Sequence, residues 1–490
     1  MRTIGNTPVD GEVRAVASGA LANGDTVVVN SDGTVSVVAE TSLSEASGTP
    51  VIFETSASRY LSTVFDSNSN KVVIAYMDQG ASSYGKAIVG TVDPSDNSIS
   101  FGTEVVFNSA SSEWVAATFD STSNKVVVAY ADGANSSRGY AKVGTVSGNS
   151  ISFGAASQFN GDSNSYTAMT YDSAQDRVVV AYRGQSNQYG HVNTGTISGT
   201  SITWAASLQF NAATTIFISA AYDVASGKVV IAYRDSGDSN RGKAIVGTVA
   251  AGTSAYITFG SEVQFNSGST TDTFMAYDSS NEKIIISYRD DGNSGHGTAI
   301  VGTVSGTSIS FGSEVVFEAA ATSFPAITFD SSANKVVISY QDVGNSSYAT
   351  AISGTVSGSS ITFDTPYILY AGYATRFGTT FDSNSNKVVT CYADSIGGDF
   401  RYYGNSVVYQ PASTSKNLTA ENYIGIAKGA AADGTSAVVQ TGCSINDAQS
   451  GLTAGQDYYV QTDGTLDTSP ADPSVFAGTA VSDTKLIVKG

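Results

Sequence analysis

The sequence predicts an all-β protein: a seven-bladed β-propeller of four-stranded blades, closed by an N-terminal strand that completes blade seven, plus a small flanking β module built from both termini. Three observations predict this class. A unit of about 52 residues repeats seven times, each unit contains four strand-like runs, and the strand that the last unit lacks stands before the first unit. Charged residues make up only 14% of the chain, and glycine, serine, threonine and asparagine supply its polar surface, a composition that disfavours a helical bundle.

An aspartate marks each repeat, and successive copies are 51 to 55 residues apart. Four runs rich in β-branched residues surround it: the approach to the aspartate, a KVVVAY-like run, an AKVGTV-like run and an ISFG-like run. Four strands per unit are typical of a propeller blade, and four to eight blades close a ring. The seven anchor aspartates are Asp66, Asp120, Asp172, Asp223, Asp278, Asp330 and Asp382.

The seventh repeat is incomplete, because no ISFG-like strand follows its third run at residues 402–409. A closed ring must complete its last blade, since an unpaired sheet edge invites association with other chains. Residues 49–55, TPVIFET, resemble GTEVVFNS at 102–109 and stand before the first inner strand. We therefore expect them to complete blade seven; an open solenoid with capped edges leaves this match unexplained.

Two flanks lie outside the repeats, and they resemble each other. Residues 21–35 and 452–466 align without a gap, and both contain an Asp-Gly pair, which favours a hairpin turn. The predicted domains are an N-terminal β segment at 1–47, the propeller at 48–411 and a C-terminal β module at 412–490.

Two kinds of connection are expected at the two ends of the blades. The turns between strands one and two are short and uniform, and each carries the anchor aspartate with a cation five residues later, which indicates structure. The connections between strands two and three are longer and variable, as binding loops are. Their larger side chains are candidate ligand contacts, with plain exposed loop tips as the alternative: Tyr84, Arg138, Tyr189, His191, Arg241, His296, Tyr348 and Arg401.

An aromatic residue also stands six positions before the anchor aspartate in five repeats. These residues are expected at the channel mouth on the variable side, where they either stack on sugar rings or pack between blades. In the other two repeats Phe274 and Phe377 are shifted by one or two positions. The five are Tyr60, Trp114, Tyr166, Phe217 and Phe324.

No enzymatic activity, cofactor or metal is expected. His191 and His296 are the only histidines, and no zinc spacing, nucleophile elbow, Walker loop or dinucleotide fingerprint is present. Aspartates in a Tyr-x-Asp pattern after strand two leave Ca²⁺ as a weaker alternative, without an EF-hand or nonapeptide pattern. Cys391 and Cys443 are interpreted as two free structural thiols, with a single bridge as the alternative.

Charge and hydropathy exclude several partners. The net charge of −19 repels nucleic acid and anionic membranes, and no run of 18 apolar residues is available to span a bilayer. The N-terminus lacks the apolar stretch of a signal peptide, so classical export is not expected.

The flanks resemble a known family. YIGIA at 423–427, SGLTAGQDYYVQTDGTL at 450–466 and AGTAVSDTKLIV at 477–488 are similar to small β modules in virion surface proteins of tailed bacteriophages, especially those of marine cyanobacteria. Residues 19–38 look like a related half-module, so the resemblance covers about 110 of 490 residues. The repeats look like the adhesin or knob portion of such proteins.

The resemblance implies a tail fibre, spike or capsid knob that is made in the host cytoplasm, displayed on the virion surface and active in host attachment. The expected partners are other virion proteins, contacted through the terminal module, and a host-surface glycan or protein. The same resemblance implies a homo-oligomer, such as a trimer. Two alternatives remain open: a purely structural decoration protein, and a polysaccharide-degrading propeller enzyme.

Overall fold

A computed structural model describes residues 11–252, 256–394, 402–471 and 473–489. These residues form β-strands, turns and three short 3-10 helices, and the described part contains no α-helix. The chain divides into two compact units: the propeller, Ser44–Pro411, and the terminal unit, which combines Met1–Leu43 with Ala412–Gly490. The 3-10 helices are Gly133–Asn135, Asp291–Asn293 and Val343–Asn345.

The propeller has seven blades of antiparallel strands, numbered here by their anchor aspartates from Asp66 (blade one) to Asp382 (blade seven), as the sequence predicts. Each innermost strand ends at its anchor aspartate and pairs with the second strand of the same blade. The strands that end at the anchors are Val51–Asp66, Val105–Asp120, Ser157–Asp172, Thr215–Asp223, Thr270–Asp278, Val315–Asp330 and Tyr367–Asp382.

The second strands form the buried interior of the blades. Val72, Val73, Ile74 and Ala75 of blade one have no exposed surface, and a fully apolar run fits a strand that is covered on both faces by neighbouring blades. The second strands are Lys71–Asp78, Lys125–Asp132, Arg177–Gly184, Lys228–Asp235, Lys283–Asp290, Lys335–Asp342 and Lys387–Asp394. The third strands are Tyr84–Asp93, Arg138–Ser147, Gly190–Ser198, Arg241–Val249, His296–Ser305, Tyr348–Ser357 and Tyr403–Gln410.

The fourth strand of each blade is made of two pieces that both pair with the third strand. In blade two, Ser150–Phe153 forms the first piece, and Ser157–Asn160, the start of the next long strand, forms the second. The other first pieces are Ser98–Phe101, Ser201–Trp204, Ile257–Phe259, Ser308–Phe311 and Ser360–Phe363. In blades three and four the second piece is a separate strand, Leu208–Asn211 and Val263–Asn266.

The N-terminal strand closes the ring at blade seven. Val51, Ile52 and Glu54 pair with Ser406, Asn405 and Gly404 of the third strand. Ala46 and Ser47 supply the first piece, by pairing with Gln410 and Tyr409. The propeller therefore begins at Ser44, whereas the sequence placed residues 44–47 in the N-terminal segment.

A glycine and a phenylalanine pack together in six of the blades. A Cβ atom on Gly85 would lie 2.3 Å from the Phe107 ring, so only glycine leaves room for this phenylalanine. Blade seven repeats the arrangement across the closure, with 2.5 Å between a Cβ on Gly404 and Phe53. The residue packing at the closure therefore matches that inside the other blades.

The terminal unit contains two five-stranded sheets that share a hydrophobic cluster with Val28, Ile426, Tyr458 and Leu486 among its members. The first sheet mixes both termini in the order Glu12–Val16, Ser436–Gln440, Tyr423–Ala427, Thr26–Val29, Val35–Val37. The second has the order Ile445–Asn446, Leu486–Val488, Val475–Ala480, Asp457–Val460, Leu466–Asp467. Glu40–Leu43 and Ser413–Lys416 pair as a separate ribbon.

The two matching flank segments form equivalent hairpins in these two sheets. In the first, the Thr34 backbone N–H and hydroxyl donate to Asp32 Oδ1 at 2.9 and 2.7 Å. In the second, Thr465 donates to Asp463 Oδ1 at 2.9 and 2.6 Å. The Asp-Gly-Thr repeat in the sequence thus corresponds to the same turn chemistry.

Candidate ligand-binding site

The two ends of the propeller differ in their connections, which fixes where each candidate lies. Asp78 ends strand two and pairs with Tyr84 at the start of strand three. It also pairs with Ser58, where the long strand Val51–Asp66 begins its inner, blade-one part. The variable connections and the starts of the inner strands therefore share one end, called here the loop face. The turns that carry the anchor aspartates lie at the other end, called the turn face.

A β-bulge recurs on the loop face in every blade. Two residues of the inner strand oppose one buried tyrosine of strand two; in blade one these are Tyr60 and Leu61 opposite Tyr76. The first residue of each bulge has a left-handed backbone, with φ between 49° and 58°. These seven residues, called here the mouth ring, all stand six positions before the anchor: Tyr60, Trp114, Tyr166, Phe217, Asp272, Phe324 and Arg376.

The mouth ring encloses a cavity on the propeller axis. Residues from all seven blades line this cavity, whose volume is about 340 Å³. Phe274 and Phe377 also line it, but Phe377 is the second residue of its bulge and Phe274 follows its bulge, so they are not the counterparts of the five aromatic residues. The counterparts in blades five and seven are Asp272 and Arg376, which an aromatic pattern in the sequence cannot reveal.

The aromatic members of the mouth ring form a continuous arc. The ring centroids of Tyr60 and Trp114 are 5.0 Å apart, those of Trp114 and Tyr166 are 4.3 Å apart, and those of Tyr166 and Phe217 are 5.4 Å apart. All four side chains are partly exposed. Tyr60 and Tyr166 also pack against core clusters, so the arc both joins neighbouring blades and presents an aromatic surface to the cavity.

Asp272 is the only carboxylate that lines the cavity among the described residues. The Phe324 backbone N–H donates to its Oδ2 at 3.0 Å. Burial raises the pKa of Asp272, while that hydrogen bond and the positive charge of Arg289 oppose the rise. Within the described part of the cavity lining, no second carboxylate is present to form the acid pair that glycoside hydrolysis uses.

Arginines surround the mouth ring. The Arg183 guanidinium carbon lies 4.9 Å from the centroid of Tyr166, and that of Arg234 lies 5.0 Å from the centroid of Phe217. These are cation–π distances. Arg289 Nε forms an ion pair with Asp291 at 2.6 Å. Arg59 Nε donates to Gln79 Oε1 at 2.8 Å.

Arg376 is the arginine of the mouth ring itself. Its guanidinium carbon lies 5.0 Å from the ring centroid of Tyr402, and its Nη1 is buried without a hydrogen-bond partner. Burial lowers the pKa of Arg376, and the nearby positive charge of Arg59 adds to this effect. Arg234 Nε is likewise buried and without a partner. The loop-face mouth therefore presents unused cationic donors beside an aromatic surface.

The candidate loop residues lie further out than the mouth ring. Tyr84, Arg138, Arg241, His296 and Tyr348 begin third strands, each opposite the aspartate that ends strand two. Tyr189 occupies the same place in blade three, where its carbonyl accepts from the Gly184 N–H at 3.0 Å. Arg401 lies outside the described residues, and the residue opposite Asp394 in blade seven is Tyr403.

His191 is not part of this outer series. It lies inside strand three opposite Tyr182, and the two rings stack with centroids 5.8 Å apart. Burial lowers the pKa of His191, against the opposing charge of Asp162. Arg241 is also engaged locally, in an ion pair with Asp238 at 3.0 Å.

The aspartates of the Tyr-x-Asp pattern hold the variable connections in place. The backbone N–H of Gly80 donates to Asp78 at 2.8 Å, and that of Gly237 donates to Asp235 at 2.9 Å. Across the described ranges, no three His, Cys, Asp or Glu side chains converge as a metal site. These aspartates therefore have a structural role in the chain as it stands.

Two buried lysines, which the sequence patterns did not single out, also stabilise the loop face. Lys86 Nζ lies 2.7 Å from Asp78, 2.7 Å from Glu104 and 3.2 Å from Glu54. In blade four Lys243 makes the equivalent contacts, at 3.1 Å to Asp235 and 2.6 Å to Glu262. Blade six has Thr350 at this position.

Both cysteines are free thiols, Cys391 buried and Cys443 exposed. Burial raises the pKa of Cys391 to about 12, so its thiolate is not available at neutral pH. No described helix is both long and apolar enough to cross a membrane.

The strand pairing and the axial cavity define the class of the central unit: a closed seven-bladed β-propeller with a ligand-sized cavity at one mouth. Neither a family model nor a curated protein matches the chain. Among solved structures, it is similar to the β-propeller domain of Cps50 (Swd1) from Myceliophteria thermophila. The identity is 7% and the TM-score 0.49, over 74% of this chain and 99% of that one.

Proposed function

We propose that this chain is a non-enzymatic structural protein of a bacteriophage particle, and that its propeller binds a host-surface ligand at the loop-face mouth. The terminal unit attaches the propeller to other particle proteins. The observation that carries the binding role is the mouth ring, an aromatic and arginine-containing surface around a cavity of about 340 Å³. Small-molecule sites typically have volumes of about 300–1,000 Å³, with apolar walls and a few polar groups.

Backbone strain supports a binding role for the mouth ring. A non-glycine residue in the left-handed region costs about 1–2 kcal/mol, and seven blades repeat this conformation without a glycine. Such strain clusters at ligand sites, where the backbone presents a side chain in a required direction. The bulge here presents each mouth-ring side chain to the axis.

The particle role is supported by the resemblance of the flanks to virion β modules, and by the two equivalent hairpins of the terminal unit. A homo-oligomer, such as a trimer, and the particle surface as location belong to the same proposal.

Binding of the full-length protein to host cells tests this function. We expect Trp114→Ala and Tyr166→Ala each to weaken binding at least about tenfold, because truncated aromatic anchors typically cost 2 kcal/mol or more. Tyr277→Ala is the matched control, since Tyr277 lines the turn-face cavity instead. Equal binding by all three variants contradicts the proposed site.

Removing the protein from the particle tests the attachment role separately. We expect adsorption to fall while particles stay intact. Normal adsorption with unstable particles would instead support a decoration role, and release of reducing ends from host polysaccharide would support an enzyme.

A further inference from the structure

Resting on the proposed binding role of the loop-face mouth, we propose that its ligand is an acidic saccharide. The sugar ring stacks on the aromatic arc, and its carboxylate or sulfate group pairs with Arg376.

The charge distribution supports an anionic ligand. The chain carries −19 overall, yet five of its 11 arginines surround this mouth: Arg59, Arg183, Arg234, Arg289 and Arg376. Three carboxylates, Glu113, Asp272 and Asp291, also lie near these side chains, and Asp291 is already paired with Arg289. A cleft lined by one excess sign attracts ligands of the opposite sign.

Arg376 is the residue suited to hold the anionic group. A guanidinium has five N–H donors and pairs with a carboxylate through two parallel hydrogen bonds. The guanidinium Nη1 of Arg376 is buried without a hydrogen-bond partner. Arg376 also lines the cavity, so this unused donor is close to any molecule that fills it.

The aromatic arc indicates a sugar rather than another anion. The C–H groups on one face of a pyranose ring pack against the negative faces of aromatic rings. Tyr60 and Trp114 are adjacent in the arc, and both line the same cavity as Arg376. A sugar stacked on Tyr60 and Trp114 therefore places an acidic substituent beside Arg376.

Asp272 fits the same ligand. Across the mouth from Tyr60, its carboxylate accepts one hydrogen bond, from the Phe324 N–H, and has further lone pairs for sugar hydroxyl groups. Neutral sugars lack the group that Arg376 binds, and cationic ligands are repelled by the arginines. A nucleic acid is disfavoured because the chain as a whole is strongly negative.

Tryptophan fluorescence provides a direct measurement, because the chain has two tryptophans and only Trp114 lines the cavity. Trp204→Phe removes the other signal, and five of the other blades have phenylalanine at the end of the same strand piece, as at Phe153. The probes are methyl glucuronide against methyl glucoside, and galactose 6-sulfate against galactose. We expect at least one acidic probe to change the emission of Trp114, and its neutral counterpart to bind at least about tenfold more weakly.

Substitutions locate the anionic group. Arg376→Gln in the Trp204→Phe background should weaken binding of the acidic probe at least about tenfold and leave any binding of the neutral probe unchanged. Arg14→Gln, at an exposed position of the terminal unit, removes the same charge outside the propeller and should change nothing. Raising the NaCl concentration should weaken binding of the acidic probe alone, since dissolved ions screen its charge pairing with Arg376. Carboxylate and sulfate are distinguished by which acidic probe binds.

Three results overturn the inference: equal binding of acidic and neutral probes, no response to any acidic probe, or an Arg376→Gln variant with unchanged affinity. If host binding remains sensitive to Trp114→Ala while the acidic probes fail, the inference is wrong and the proposed function stands. If host binding is also absent, both are wrong.

Discussion

The seven blades repeat a side chain at one end of the propeller and a backbone conformation at the other. On the turn face the same side chain recurs with the same hydrogen bonds: Asp66 Oδ1 accepts from the N–H groups of Asn68 and Ser69 at 2.9 and 3.0 Å. Asp382 accepts from Asn384 and Ser385 at 2.9 and 3.1 Å. On the loop face the backbone recurs but the side chains differ, from Trp114 to Asp272 to Arg376. A repeated side chain indicates a requirement of the fold, whereas a repeated backbone with varied side chains leaves those positions free for binding.

Cavity volume alone would place the binding site on the turn face instead of the loop face. The turn-face cavity is larger, at about 540 Å³, and is lined by five of the blades. Serine, threonine and alanine make up much of its lining, with tyrosines and phenylalanines between them, and it contains no charged residue in the described chain. The chemistry of the lining, rather than volume, therefore distinguishes the two mouths.

The largest predicted loss of stability is at a turn-face aspartate. Asp120 is buried and accepts from the Thr122 and Ser123 backbone N–H groups at 2.9 and 3.0 Å. Asp120→Ala leaves these donors unsatisfied, and we expect a loss of about 3 kcal/mol in the free energy of unfolding by urea. Arg138→Ala on the loop face is the control and should stay within about 0.5 kcal/mol of the wild type. Similar losses in the two variants would remove the distinction between the faces.

A smaller loss is expected at Lys86, which tests whether the loop face also has structural parts. Burial disfavours the charged form of Lys86, but hydrogen bonds to Asp78 and Glu104 and the charge of Glu54 raise its pKa overall. Lys86→Met leaves these carboxylates without a cation, at a cost of about 2 kcal/mol. Thr350→Lys supplies the same cation beside Glu318 and Asp342 in blade six, where burial raises the pKa of Asp342, and it should not destabilise. Thermal denaturation of both variants measures the two effects.

Backbone strain predicts a difference between two substitutions of one residue. Trp114 has φ of 53°, which glycine adopts freely and alanine does not. Trp114→Gly should therefore be more stable than Trp114→Ala by about 1 kcal/mol, although both lose the aromatic surface. An alanine variant that equals or exceeds the glycine variant in urea would show that the bulge is not strained.

The smallest effect is expected at Asp272 and depends on pH. Because the pKa of Asp272 is raised in the folded protein, its ionised form opposes folding, and stability declines as pH rises from the unfolded value of 3.8 through the folded pKa. Asp272→Asn resembles the protonated side chain, so it should melt slightly higher than the wild type at pH 7. The difference in melting temperature should shrink towards zero near pH 4. A constant difference would contradict the raised pKa.

The repeat, the four strands per blade and the closing strand were predictable because all three depend on hydrophobic pattern and spacing. The mouth ring was only partly predictable, since its positions are defined by a bulge rather than by residue type. Phe274 and Phe377 looked like shifted members, but counting six residues back from every anchor leads to Asp272 and Arg376 instead. The arginines around the mouth ring do have a sequence pattern. A Tyr-Arg pair occurs near the end of strand two in three successive repeats, at Tyr182-Arg183, Tyr233-Arg234 and Tyr288-Arg289. The sequence predicts His191 in a variable loop, whereas it lies in the third strand of blade three, which begins at Gly190.

The closure of blade seven has a consequence for synthesis. Val51 meets Ser406, so the ring cannot close until about 355 further residues have been made. At roughly 5 to 20 residues per second, the nascent chain spends about 20 to 70 seconds with the blade-seven part of its first strand, residues 51–57, without a partner at an open edge. We therefore expect the yield of closed propeller to depend on the translation rate and on chaperone binding during that interval. This dependence is separate from the stability of the closed form.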